Sequence, residues 1–208
     1  MYPNFIWSFG LFYHVCKLVM EEQMTGFNCD TALKEEFIKL IEQFTIRTIV
    51  ETGTYKGDTT IELASLAENV VTIEINQSYF NDSSHLDKFT NVNRILGASE
   101  TVLHNILSTL NRPILFFLDA HWGVNPLLGE LAAISRHGLN DSVIVIHDFQ
   151  VPNTDLGYDF HDKYPINLQY IHDHVSNIYG GTFNYYYNDP VRATGARRGA
   201  IFIIPKGK

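Results

Sequence analysis

The stretch VETGTYKGDTT (50–60) sets two glycines, Gly53 and Gly57, between an apolar run closed by Glu51 and a segment that reads as the start of a helix. A glycine at the first position lets the chain turn tightly and approach a ligand closely, and one at the second lets the following helix pack near the strand. The helix start presents free N–H groups to whatever the turn holds. The spacing is E-x-G-x-x-x-G, whereas a dinucleotide-binding turn prefers G-x-G-x-x-G. A bound pyrophosphate is therefore disfavoured.

Working outward, strands and helices alternate. RTIVE (47–51), VVTIEI (70–75), VNRIL (92–96), PILFFLD (113–119) and SVIVIHD (142–148) read as near-continuous apolar strands. Between and around them lie TALKEEFIKLIEQF (31–44) behind an Asp30 cap, DTTIELASLAE (58–68), and ETVLHNILSTL (100–110) behind a Ser99 cap. A further helix is opened by Asn125-Pro126 and closed by His137-Gly138, and another runs over 165–178 and stops at Gly180-Gly181. TFNYYY and GAIFII, joined without a helix, predict an antiparallel strand pair at the C-terminal end. Apolar strands alternating with helices imply a sheet covered on both faces. The expected fold is α/β, Rossmann-like and doubly wound, a mostly parallel seven-stranded sheet with ligands beyond the strands' carboxyl ends.

Length and composition narrow the function. The 208 residues, 45% hydrophobic and 18% charged, suit one globular domain. A formal charge of −8 argues against phosphate-driven nucleic-acid binding and leaves a small-molecule partner. Two cysteines, Cys16 and Cys29, match no metal or redox spacing, which points to a reduced, cytoplasmic setting. The first twenty residues are apolar, but Pro3, His14 and Lys17 interrupt them and no basic leader or cleavage site is present. Residues 1–29 are read as an amphipathic cover segment before a domain over 30–208, with no membrane span and with a homo-oligomer contact or a substrate lid as other uses.

Glu74 ends the second strand, twenty-three residues after Glu51. A carboxylate there can accept both hydroxyls of a ribose, which points to a nucleoside-containing cofactor.

VETGTYKG followed by VVTIEI, ILGAS, LFFLDAHWG, PLLGELAAI and VIVIHDF resembles the class I S-adenosylmethionine-dependent methyltransferases. Within them it is similar to the small-molecule and sugar O-methyltransferases of the macrocin O-methyltransferase and cephalosporin hydroxylase group, over about residues 30 to 205. The resemblance implies a cofactor site of Glu51, Thr52, Gly53, Thr54, Tyr55, Gly57 and Thr59 around the methionine part, and Glu74 and Ile75 at the ribose. Ala98 and Ser99 would lie beside the adenine, with Asp119 facing the reactive methyl. It also implies a divalent cation, magnesium by its oxygen ligands, on Asp119 and Asp148.

Methyl transfer from a sulfonium needs chiefly alignment, but a sugar hydroxyl must lose its proton or be activated by a metal. Asp119, His121 and His147 are the catalytic candidates. The expected activity is an S-adenosylmethionine-dependent O-methyltransferase acting on a sugar or other small metabolite. Asp119 with His121 and His147 also supplies the residue types of a non-haem iron hydroxylase. A catalytically silent nucleotide-binding scaffold is the third reading. The segment NTDLGYDFHDKYP (153–165) is expected to overhang the pocket as an acceptor lid, Trp122 to wall the site or simply pack, and Arg192, Arg197 and Arg198 to be exposed charge or to meet an anionic group.

Overall fold

The computed structural model of the chain describes residues 26–121 and 125–206. The readings of residues 1–25 as a cover segment or oligomer contact, and of Trp122, lie outside the described residues. In chain order the elements that position the site are α1 (Thr31–Phe44), β1 (Thr48–Thr52), α2 (Asp58–Leu66), β2 (Asn69–Glu74), α3 (Gln77–Asp82), β3 (Val92–Leu96) and α4 (Ser99–Ile106). They continue with β4 (Ile114–Leu118), α5 (Leu127–Arg136), β5 (Val143–His147), β6 (Phe160–His161), β7 (Tyr164–Pro165), α6 (Leu168–Tyr179), β8 (Asn184–Tyr187) and β9 (Ala200–Ile204).

Seven strands form one sheet in the order β3-β2-β1-β4-β5-β9-β8. The first five are parallel, and β9 runs antiparallel to both β5 and β8. This is the doubly wound sheet with a C-terminal antiparallel pair that the sequence predicts. Because β2 follows β1 on one side and β4 lies on the other, the chain reverses direction around β1, and a crevice opens at that switch point.

Side chains alternate across the strands, so two cores form. Val50, Val71, Ile73, Phe116, Leu118, Ile144 and Ile146 pack beneath α4, α5 and α6 with Leu103, Leu127, Leu131, Ile171 and Val175. Ile49, Val70, Leu115, Phe117, Val143 and Val145 pack on the other face with Phe37, Leu40 and Phe44 of α1 and Leu63 of α2. Each fully buried large side chain contributes about 1.5–3 kcal/mol relative to an exposed one. Phe27 joins the second core, its ring 4.8 Å from Phe37 and 6.0 Å from Phe117.

The helix ends follow local chemistry. The Asp30 side chain accepts from Ala32 and Leu33 N–H, and Asn125 Oδ1 accepts from Leu127 N–H at 2.9 Å. Gly180, at φ 71°, ends α6. One feature departs from expectation: α3 forms where no element is predicted, capped by Asn76. The 153–165 segment carries the β6/β7 hairpin and is stitched down by Asp159 N–H to Asp148 O at 2.8 Å and Gln150 N–H to Ile166 O at 2.7 Å. None of the described helices is long and apolar enough to cross a membrane.

Candidate functional site

The chain leaves β1 through Gly53, at φ 87°. A Cβ there would stand 2.7 Å from the carbonyl oxygen of Asp119, so glycine is needed for the backbone angle and for the approach of the turn to the end of β4. The Thr52 carbonyl accepts from Asp119 N–H at 3.1 Å, and the Thr52 hydroxyl lies 3.3 Å from the same N–H.

Glu51 is buried on the α1/α2 side of the sheet. Its Oε2 accepts from the hydroxyls of Thr60 at 2.5 Å and Thr72 at 2.7 Å. Since Thr72 gives its proton to Glu51, the 2.6 Å contact between Thr54 and Thr72 is a donation by Thr54. Burial lifts the Glu51 pKa to about 7 against the pull of those two hydroxyls. The carboxyl thus fastens the turn to α2 and β2. Thr59, also expected near the cofactor, accepts instead from Phe27 N–H at 3.0 Å.

Glu74 closes β2 and holds two backbone donors, Tyr55 N–H on Oε2 at 2.8 Å and Asn76 N–H on Oε1 at 2.7 Å. Each oxygen retains a second lone pair. Beside this buried carboxylate, Ile75 is 71% exposed and Leu96, at the end of β3, 41%. Tyr55, at φ 49°, sets its ring edge-on to Tyr79 with centroids 4.7 Å apart.

Ser99 does not cap its helix. It is the first residue of α4, the cap position falls on Ala98 without a side-chain bond, and the Ser99 hydroxyl donates to Glu130 Oε1 at 2.5 Å. Giving its proton to Glu130 leaves the hydroxyl's lone pairs free; the cap fails because Ser99 stands one position inside the helix. Glu130 is fully buried in α5, and burial raises its pKa to about 7 against the pull of Ser99 and Thr52. Nothing in the sequence around it distinguishes Glu130 from a solvated helix acid.

At the ends of β4 and β5, Asp119 Oδ1 accepts from His147 Nδ1 at 3.0 Å, and Asp148 Oδ1 lies 3.4 Å from the same nitrogen. One potential ligand atom from each of Asp119, His147 and Asp148 lies within 4.8 Å of the others. Burial lowers the His147 pKa, but the two carboxylates outweigh it and push it up to about 10. The ring is an imidazolium at neutral pH. Asp148, at φ 53°, also takes Arg198 Nε, while Arg198 Nη2 binds Asp159. Burial opposes ionisation of Asp148, but His147 and Arg198 hold its carboxyl well below the usual range. Arg198, read from sequence as exposed charge or an anion contact, is a partly buried cation engaged by two carboxylates of the chain itself. Its approach presses on Gly157, where a Cβ would stand 2.8 Å from Nη1. Arg197 pairs with Asp155 at 3.0 Å and Arg192 with Glu35.

His121 is buried, and neither ring nitrogen has a hydrogen-bond partner among the described residues. Burial lowers its pKa despite the neighbouring Asp119 and Asp148, so it is a neutral imidazole. It does not join the converging atoms of Asp119, His147 and Asp148. The two-histidine, one-carboxylate face expected for an iron hydroxylase is therefore not assembled among the described residues.

No family model matches the sequence, and no curated protein matches it. Solved structures do. An O-methyltransferase from Bacillus cereus in complex with SAH is 18% identical, with a TM-score of 0.58 over 97% of this chain and 93% of that one. TomG from Streptomyces achromogenes, an O-methyltransferase involved in tomaymycin synthesis and solved with SAM, is 18% identical at a TM-score of 0.55 over 84% and 80%. The chain shares their fold. An rRNA methylase from Streptococcus thermophilus, 13% identical, aligns at 0.54 over 82% and 94%, so this methyltransferase fold serves unlike acceptors and does not name one here.

Proposed function

We propose that this chain is an S-adenosylmethionine-dependent methyltransferase that methylates a hydroxyl of a sugar or other small hydroxylated metabolite. The observation that carries the reading is Glu74: a buried carboxylate at the end of β2, oriented by Tyr55 and Asn76 N–H, with lone pairs left beside the Gly53 turn. That is the arrangement that accepts two vicinal hydroxyls of a ribose. Exposed Ile75 and Leu96 offer an adjoining apolar wall for a base, next to Ala98 and Ser99. Gly53, Thr54 and Tyr55 receive the methionine part, and Asp119 faces the methyl. Glu51 acts behind them, holding the turn through Thr60, Thr72 and Thr54.

In the reaction the acceptor oxygen attacks the methyl carbon, the carbon–sulfur bond breaks and a neutral thioether leaves. The acceptor proton needs a base. His147 cannot take it, because the carboxylates around it keep it protonated. Burial lowers the His121 pKa and its nitrogens have no partner among the described residues, which makes it the better base. Asp119 and the His147 imidazolium orient one another at the end of β4 and β5.

Magnesium does not fit this set. It takes oxygen ligands, yet the third converging atom is an imidazole nitrogen, and the carboxylates already face His147 and Arg198. No step is assigned to it. For the acceptor, Phe160 and Tyr164 of the β6/β7 hairpin expose 52% and 58% of their surface and offer ring faces to a sugar's C–H groups. The net charge of −8 disfavours RNA. We assign the activity to a domain over 30–208, with 1–29 as its cover segment; Gly26 would contact Asp58 O at 2.7 Å through a Cβ, close to the turn.

Calorimetry with S-adenosylmethionine and S-adenosylhomocysteine tests the reading. Binding of both, lost in Glu74→Ala, is expected; binding of neither removes it.

A further inference from the structure

The Ser99 hydroxyl has one proton and gives it to Glu130 Oε1 at 2.5 Å. Its remaining capacity is that of an acceptor only. With Glu130 ionised both carboxylate oxygens are acceptors only, so the proton of this contact is the hydroxyl's. The contact is built deliberately close: α4 and α5 approach until a Cβ at Gly129 would meet the Glu100 side chain at 2.9 Å, which brings Glu130 against Ser99. Glu130 is a carboxyl fully buried between the helices and the sheet, a cost to the fold that an apolar residue would not incur.

We propose that Glu130 is a positioning residue that fixes the polarity of the Ser99 hydroxyl, so that the crevice accepts a purine bearing an exocyclic amino group and rejects one bearing an oxo group. This rests on the reading above, in which the adenine lies beside Ser99. An adenine amino group donates to a hydroxyl oxygen that can only accept. The oxo group of hypoxanthine would face that oxygen acceptor to acceptor, leaving both unpaired. Released from Glu130, the hydroxyl rotates and serves either base.

The test compares the affinity of S-adenosylhomocysteine with that of S-inosylhomocysteine, by calorimetry, for the full-length protein, Glu130→Met and Ser99→Ala. The wild type is expected to prefer the adenosyl ligand, and the ratio of the two affinities is expected to fall by about tenfold in both variants, the size of one mispaired buried hydrogen bond. Circular dichroism checks that each variant folds. An unchanged ratio in Glu130→Met overturns the inference, and if that variant does not fold, an unchanged ratio in Ser99→Ala does so. A wild type that binds the adenosyl ligand with no preference also overturns it while leaving the methyltransferase reading intact. Failure of the wild type to bind either ligand would instead remove that parent reading.

Discussion

Asp119 and His147 meet across β4 and β5, Oδ1 to Nδ1 at 3.0 Å, and Asp148 stands 3.4 Å from the same nitrogen. One imidazolium therefore separates two carboxylates. His147 has a folded pKa of about 10, above the ordinary 6.5 of a histidine. Its stabilisation is fully present below the unfolded pKa and is lost as pH rises through the folded value. His147→Asn should destabilise the protein by about 3 kcal/mol near neutral pH, by leaving two carboxylates uncompensated. The deficit should shrink as pH climbs from 6.5 towards 10. Thermal unfolding followed across that window checks it, and a pH-independent deficit would contradict it.

The same contact predicts the response to divalent cations. Millimolar magnesium or manganese should leave the wild-type melting temperature and its affinity for S-adenosylhomocysteine unchanged. His147→Asp removes an internal cation and adds a third oxygen ligand, so it should bind manganese with a signal in electron paramagnetic resonance. Tight manganese binding by the wild type would show that the carboxylates release His147 and Arg198.

Glu51 loses stability in the same direction, over a lower range of pH. Its folded pKa of about 7 lies above the ordinary 4.5 of a glutamate, so the folded state holds the proton more tightly and stability falls as pH rises from 4.5 to 7. Above pH 7 the loss is complete, on the order of 3 kcal/mol. Glu51→Gln cannot ionise, and relative to wild type it should gain stability across that interval and level off beyond it. Denaturant titrations at intervals of pH would reveal a flat difference if the carboxyl is not burdened in this way.

Gly53→Ala should be costly twice over, because φ is 87° and the new Cβ would stand 2.7 Å from Asp119 O. A left-handed alanine costs roughly 1–2 kcal/mol, and the displaced turn should weaken S-adenosylhomocysteine binding at least about tenfold. Wild-type affinity in this variant would mean that the turn does not shape the ligand site.

Arg198 joins the end of β5 to the hairpin segment through Asp148 and Asp159. Arg198→Ala should destabilise by roughly 2 kcal/mol and speed hydrogen exchange at Gly157 and Asp159. Their N–H groups bond Arg197 O at 2.9 Å and Asp148 O at 2.8 Å. Unaltered exchange there would show that the backbone bonds hold the segment unaided.

Much of this architecture is legible residue by residue. The apolar runs around Val50, Phe116 and Ile144 announce strands covered on both faces, Asp30 announces its helix, and Gly53 announces a close turn, because strand period, capping and positive φ are local properties. The α3 helix was missed because its short polar sequence QSYFND carries no apolar period, its only local signal being the Asn76 cap. Ser99 reads as a cap because the residue type suits one, but the helix begins one position earlier than that requires, and the carboxyl that takes its proton lies thirty-one positions away.

The acids and cations of the site divide along the same line. That carboxylates stand near the end of β1, at the end of β2 and just after β4 and β5 is written in the chain order. Which of them face a ligand depends on what reaches them through space: Thr60 and Thr72 turn Glu51 inward, while Arg198, fifty residues from Asp148, turns an expected metal ligand into half of an ion pair. Hydrogen bonding and charge act over a few ångströms irrespective of separation along the chain, so pattern decides where such groups stand and only packing decides what each is bonded to.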